Sequence, residues 1–432
     1  VFFLAPIFVL SFSSRNQFTK YPATGNLKQD IDQIYNLPDF QGASIGCKVI
    51  DNDGKVLYER NSSMRLVPAS NNKLFATSYA FATFNLALHL GTRFWNEKDG
   101  LYIQSNGNPL VSVQDIGRAK ARLHSPANST VYLDEAYAPG YNEDWEFGDL
   151  PNQYAAPVTA ITVDRGILYL WNNNGTPTLL PAAFGTKIDW TKRNDPTVSD
   201  TFDIRKNVIH LYGKLANESK MIDNLAIPEP DIAFGSYFGK HIRFTNHVPT
   251  RQPDYVIIGQ SIEATMRLCL QESDNNLAEN FLFIAATHDD ASATTWPLAI
   301  KHLNHFLVKV VGLSPTEINE DDGSGLSREN NISTSAICDL MLWHLKQANI
   351  ALWRSLLDHP GSGTLVTRLA QVPFQGKTGT MNRVSALSGY LNLSGTKTVV
   401  ISLIEDNYQC TTQKMKQLEN QIATIIYQDT RK

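Results

Sequence analysis

Apolar positions change their spacing several times along the chain, and each change marks an element. Strand-like runs at residues 42–51 and 55–60 flank the turn Asn52-Asp53-Gly54, a pattern that predicts a hairpin. From residue 71 to residue 90 there is neither proline nor glycine, and Leu74, Phe75, Ala76, Tyr79, Phe81, Phe84, Leu86 and Leu88 cover nearly every face. A helix buried all round is expected there, stopped by Gly91. Residues 92–249 then carry short β-type runs broken by Gly, Asn and Pro, at 100–104, 130–133, 160–171 and 207–212. Helical patterns return at 261–270 and 277–286. Residues 384–393 and 398–404 read as two strands joined by Ser394-Gly395. Residues 412–427 form a last helix, with Met415, Leu418, Ile422 and Ile425 on one face. Residues 14–91 and 250–432 should therefore close into one α/β domain, with 92–249 inserted as a β-rich region of one or two small domains.

Composition supports more than one folded unit, since 432 residues with 42% hydrophobic and 19% charged exceed one typical domain. A net charge of −4 and a pI near 6.2 offer no basic surface for nucleic acid or anionic lipid. The apolar run from Val1 to Phe12 is too short to span a bilayer and suits the core of a secretory signal. Ser11-Phe12-Ser13 has the small-x-small form of a cleavage site, so residues 1–13 are read as a signal remnant. Export is expected, with no transmembrane anchor after processing. Cys47, Cys269, Cys338 and Cys410 are too scattered for a zinc knuckle or redox pair, and core packing is their expected role. His302 and His305 share a helix face without a His-Glu-x-x-His pattern, so neither a metal nor another cofactor is expected.

Three short motifs carry the chemistry. In Ser70-Asn71-Asn72-Lys73 the serine opens the buried helix, and spacing of three puts the lysine on its face. Burial and the positive helix end disfavour an ammonium, so Lys73 can serve as general base for Ser70. Ser273-Asp274-Asn275 falls between two helical patterns, where a hydroxyl can relay a proton and an amide can hold a carbonyl. Lys377-Thr378-Gly379 precedes the two β runs and is expected at the start of a strand in an antiparallel sheet. There a cation beside a hydroxyl suits a terminal carboxylate, Gly379 permits close backbone approach, and the Thr380 amide can face an oxyanion. Gly376-Lys377-Thr378 mimics the end of a phosphate loop, but the required first glycine is Gln371 and strand follows instead of helix. Gly42-Ala43-Ser44-Ile45-Gly46 matches a nucleophile elbow, but strand-like residues follow Ser44 where a helix is needed.

In this order the three motifs are the signature of penicillin-interacting serine enzymes. The chain resembles the D-alanyl-D-alanine carboxypeptidase/endopeptidase family of low-molecular-mass (class C) penicillin-binding proteins over residues 40–427. Further matching stretches are Tyr154-Ala155-Ala156-Pro157-Val158, Asp274-Asn275-Asn276-Leu277-Ala278-Glu279, Asp322-Gly323-Ser324-Gly325-Leu326-Ser327-Arg328, Gly363-Thr364-Leu365 and Ser385-Ala386-Leu387-Ser388-Gly389-Tyr390. The resemblance implies a three-layer sandwich of antiparallel sheet and helices, with the site where helices meet the sheet edge. It implies Ser70 as acylated nucleophile, Lys73 as base, and Ser273 and Asn275 as relay and substrate holder. Lys377 and Thr378 would bind the substrate carboxylate, with the Ser70 and Thr380 amides as oxyanion hole. Asp149 resembles an inserted-domain aspartate that contacts the amino end of the peptide side chain. The implied partners are peptidoglycan stem peptides and crosslinks, with β-lactams as covalent inhibitors, and the implied location is periplasmic or otherwise extracytoplasmic. A β-lactamase-like hydrolase shares the motifs, but about 200 residues separate the first two here; a non-catalytic β-lactam or cell-wall binder is the other alternative. One departure is Asn106-Gly107-Asn108-Pro109, where the family pattern is Gly-Asp-Pro.

Overall fold

Strands Val384–Asn392 and Thr398–Asp406 are buried at nearly every position, so both of their faces must be covered. In the computed structural model of the chain they sit inside a five-stranded antiparallel sheet. Its order is Phe374–Met381, Val384–Asn392, Thr398–Asp406, Ser44–Asp51, Val56–Arg60. The described residues are 24–123, 129–181, 185–195, 197–393 and 397–431; the expected signal remnant and the turn Ser394-Gly395 lie outside them.

Because strand side chains alternate, the sheet feeds two cores. Cys47, Val49, Leu387, Leu391, Ile401 and Leu403 pack with Ile31 and Ile34 of helix Leu27–Tyr35 and with the helix Thr412–Thr430. The face expected on that last helix, Met415, Leu418, Ile422 and Ile425, is the buried one. Ile50, Ala386, Tyr390, Val400 and Ile404 point the other way, into helices Lys73–Thr83, Ile262–Glu272, Asn275–Asp289 and Thr334–Leu345. Helices, sheet and helices make the three-layer α/β sandwich.

Between helices Lys73–Thr83 and Ile262–Glu272 the chain builds a second five-stranded sheet. Its order is His241–Phe244, Thr130–Glu135, Leu101–Ser105, His89–Asn96, Tyr255–Ser261. Two three-stranded sheets accompany it, and Phe94, Ile103, Val131, Leu133, Leu170, Ile209 and Leu211 belong to a core of their own.

The helix expected over 71–90 is shorter, running Lys73–Thr83. Phe84 turns extended, and the carbonyls of Leu86 and Leu88 accept hydrogen bonds from Glu263 and Ile262 at the start of the next helix. Gly91 then lies inside strand His89–Asn96, opposite Ile258. The apolar run reported burial correctly; the change of period came from a strand partner more than 160 residues away in sequence. The β-type run at 160–171 likewise yields strand only from Ile167, after a tight turn Asp164–Gly166. In the departing turn, Gly107 keeps a left-handed φ of 103°, and a Cβ there would overlap the Tyr137 hydroxyl. All four cysteines are free thiols, with Cys47, Cys269 and Cys338 buried in the cores. Among the described residues no helix is long and apolar enough to cross a membrane.

Candidate active site

Ser70 does not open the α-helix directly. It sits in a 3₁₀ turn, Ala69–Asn72, and the α-helix begins at Lys73. In a 3₁₀ turn residues three apart eclipse, which sets Lys73 Nζ 2.9 Å from Ser70 Oγ. Ala69 holds a φ of 45°, a strained value for a residue with a Cβ. The turn is held from both sides by close backbone packing. A Cβ on Gly325 would overlap the Ala69 carbonyl, and one on Gly379 would stand 2.7 Å from the Pro68 carbonyl. Gly379 therefore lets the third motif approach the turn that carries the first.

Lys73 is wholly buried, and its amine meets Ser70 Oγ, Asn275 Oδ1 at 2.7 Å and the Ser324 carbonyl at 2.9 Å. Burial pushes its pKa below the usual lysine value, against the pull of Cys269, Glu279, Asp322 and Asp274. Two of the three partners are carbonyl acceptors and the third is a hydroxyl. As an ammonium Lys73 donates to all three; as a neutral amine it gives its two N–H bonds to the carbonyls and turns its lone pair to the Ser70 hydroxyl.

The second motif makes the sharp corner expected between two helices. Ser273 ends helix Ile262–Glu272 with a left-handed φ of 59°, and Asp274 caps helix Asn275–Asp289 by accepting from Leu277 N at 2.9 Å. Arg165 pairs with the other oxygen of Asp274 at 2.6 Å. Asn275 Nδ2 donates to the Tyr154 carbonyl at 2.9 Å, which leaves Oδ1 facing Lys73. Ser273 Oγ takes its hydrogen bond from Lys377 Nζ at 2.9 Å, whereas the Lys73 amine ends on Ser70, Asn275 and Ser324.

The third motif lies in the interior of strand Phe374–Met381, not at its start, and that strand is the edge of the sheet, bridged on its outer side only at Gly376 by Asp358 among the described residues. Lys377 is fully buried, bonded to Ser273 Oγ and to the Thr378 carbonyl at 3.0 Å. Burial first, and Lys73 in its protonated form second, push its pKa down to about 7. Thr378 Oγ1 donates to Thr364 Oγ1 at 2.8 Å, which in turn donates to Asp358 Oδ2 at 2.6 Å.

Ser70, Asn275, Thr380 and Asp149 line one cleft of about 320 Å³, together with Glu146, Tyr154, Leu326 and Arg328. Tyr154 donates to Asp149 Oδ1 at 2.8 Å, and Arg328 joins Glu146 at 3.1 Å across the entrance. A second hollow of about 220 Å³, lined by Tyr154, Arg165, Ser273 and Asn275, adjoins the first through Tyr154 and Asn275. Ser44 of the rival elbow begins strand Ser44–Asp51 with no helix after it. Among the described residues no group of three His, Cys, Asp or Glu side chains is placed to hold a metal ion.

The sequence model of the D-Ala-D-Ala carboxypeptidase 3 (S13) family matches residues 27–428. The chain belongs to that family. As an S13 member it is a serine-type D-Ala-D-Ala carboxypeptidase. The D-alanyl-D-alanine carboxypeptidase of Actinomadura sp. (strain R39) is 27% identical, over 84% of this chain and 78% of that protein. A penicillin-sensitive carboxypeptidase A from Dictyostelium discoideum is 22% identical, over 86% and 83%. Penicillin binding protein 4 of Haemophilus influenzae has the same fold, with a TM-score of 0.76 at 16% identity, covering 93% of this chain and 99% of that one.

Several groups in this S13 site carry no motif of their own. The Ser324 and Tyr154 carbonyls are backbone atoms, so side-chain type gives no sign of them. Asp358 and Thr364 stand behind Thr378; the only sign of them in the sequence is that Thr364 lies in the matching stretch Gly363-Thr364-Leu365.

Proposed function

We propose that this S13 enzyme cleaves the D-alanyl-D-alanine bond of peptidoglycan stem peptides through an acyl-enzyme on Ser70, and that penicillin acylates the same oxygen. The observation that carries this reading is the partner set of Lys73: two carbonyls and the Ser70 hydroxyl within 2.9 Å of a buried amine. Neutral Lys73 takes the Ser70 proton as Oγ attacks the penultimate carbonyl carbon. The tetrahedral oxyanion lies between the Ser70 and Thr380 amides. Ser273 passes its proton to the leaving nitrogen and is reprotonated from the Lys73 ammonium, which returns Lys73 to the neutral amine; the C–N bond breaks, and D-alanine departs. Water then hydrolyses the serine ester, restoring the hydroxyl and freeing the shortened peptide.

In this reading Lys377 and Thr378 hold the terminal carboxylate, whose charge favours the protonated form of a lysine that burial has discharged. Asp149, exposed to the cleft beside Tyr154, meets the amino end of the peptide side chain. Cleavage of peptide crosslinks would pass through the same acyl-enzyme, so the site is open to endopeptidase action as well as to carboxypeptidase action. That substrate lies outside the cytoplasmic membrane, so the proposed site of action is a periplasmic or equivalent extracytoplasmic space. Residues 14–91 and 250–432 make up the peptidase domain, and 92–249 the insert that supplies Asp149 and Tyr154.

Intact-mass measurement and peptide mapping after penicillin treatment test the nucleophile. A single adduct on the peptide containing Ser70, absent in Ser70→Ala, is expected. Label on another serine, or undiminished label in the variant, overturns the assignment. Digestion of purified peptidoglycan, with products weighed by mass spectrometry, separates terminal D-alanine release from crosslink cleavage.

A further inference from the structure

The proposed lone-pair direction of Lys73 depends on two carbonyl acceptors. Asn275 supplies one from a helix that fixes it. The other, Ser324 O, belongs to a loop, and a loop carbonyl stays in place only if its peptide group is held. Two carboxylates share this task. Glu279, on the same helix as Asn275 and one turn further along, so on the same face, holds the chain leading into Ser324. Its side chain is fully buried, and its two oxygens accept Gly323 N at 2.6 Å and Ser324 N at 2.8 Å. Asp322 holds the peptide group that carries Ser324 O itself, accepting Gly325 N at 2.6 Å, and also takes Ser327 N at 2.7 Å.

We propose that Glu279 is a positioning residue for Lys73, acting through the Ser324 carbonyl. A pair of oxygens facing a pair of N–H donors fixes the two peptide groups before the Ser324 Cα, and Asp322 fixes the one after it through Gly325 N, so the direction of Ser324 O depends on both grips. Glycine at 323 lets the loop come this near, since a Cβ there would stand 2.9 Å from Glu279 Oε2 and 2.9 Å from the Ala278 carbonyl. The amide of glutamine has one acceptor and one donor, so at this position a donor would face an N–H and the loop would lose its grip. Lys73 would then lose an N–H acceptor, and its lone pair would no longer be directed at Ser70.

The titratable groups around Lys73 are Cys269 from the preceding helix, Asp274 and Glu279 from the Asn275–Asp289 segment, Asp322 from the loop, and Lys377 from the edge strand. Releasing Ser324 O takes an acceptor from the Lys73 amine and so disfavours its ammonium form. That lowers the pH at which Lys73 gives up its proton.

This inference rests on the role given to Lys73, and the test keeps the two apart. The second-order rate of penicillin acylation is measured from pH 5 to pH 9 in the wild type, Glu279→Gln and Glu279→Asp, with thermal unfolding of each. If the wild type forms no Ser70 adduct, the functional reading fails. Given that adduct, Glu279→Gln should lose about a hundredfold in plateau rate, the scale of a 1 Å misplacement, and its acid limb should move to lower pH. Glu279→Asp keeps two acceptor oxygens on a shorter stem, so it should recover part of the rate with the limb nearer its wild-type position. A folded Glu279→Gln with the wild-type rate and limb overturns the proposal. Should that variant not fold, a wild-type rate in Glu279→Asp overturns it equally.

Discussion

Lys73, on the helix side of the cleft, and Lys377, on its strand side, are both fully enclosed, and burial lowers the pKa of both. Their partners differ. Lys73 has three hydrogen-bonding neighbours, two of them carbonyls that can only accept. Lys377 has two, Ser273 Oγ and the Thr378 carbonyl, and lies on the edge strand. Burial alone therefore does not assign a role to a lysine. In the proposed reading the amine with three partners removes the Ser70 proton, and the amine with two regains charge when a carboxylate arrives.

The sharpest way to break this contrast is to forbid deprotonation on one side. Lys73→Arg keeps a cation that stays protonated at working pH, so penicillin acylation should fall by about two to four orders of magnitude. Stopped-flow acylation checks this, and an arginine variant near the wild-type rate would remove the base role from Lys73. On the strand side the expected effect is smaller and depends on the substrate. Amidating the terminal D-alanine should cost the wild type about ten- to a hundredfold, the scale of a charged hydrogen bond of roughly 1.5–3 kcal/mol. In Lys377→Ala the acid and the amide should be hydrolysed at nearly equal rates. If the variant still prefers the acid by the wild-type factor, carboxylate recognition lies elsewhere.

How much of this arrangement the sequence exposed follows from the kind of atom involved. Ser70 and Lys73 are three apart, and Ser273 and Asn275 share one corner, so local spacing alone brings each pair together. The last two strands and the last helix were legible because 384–392 and 398–406 are largely apolar on both faces and the helix on one, whereas the three-layer sandwich followed from the family resemblance. What spacing could not reveal were partners brought by distant chain: the Ser324 and Tyr154 carbonyls, and the strand that converts the second half of an apolar run into His89–Asn96. Ala69 is a further case. Nothing in alanine suggests a left-handed φ, which here is enforced by Gly325 and Gly379 closing on the turn from either side.

The smallest expected effect concerns stability and carries its own sign. An unfolded lysine holds its proton up to about pH 10.5, whereas folded Lys377 gives it up near pH 7. Between those values the unfolded state binds more protons, so this group's contribution to stability rises with pH across that window. Below about pH 7 the folded protein encloses the cation, and the contribution is lost. Lys377→Met removes the titration while keeping the stem. The stability of the wild type minus that of Lys377→Met should therefore be lowest below pH 7 and climb towards pH 10.5, by up to about 1.4 kcal/mol per pH unit. Urea unfolding of both proteins at pH 6, 7.5 and 9 measures this difference, in which groups common to both largely cancel. A product-like carboxylate that pairs with Lys377 should flatten the climb by favouring the protonated form in the folded state. Parallel curves without ligand would mean that Lys377 keeps its charge in the empty cleft, and the two lysines would then differ in charge state as well as in partners.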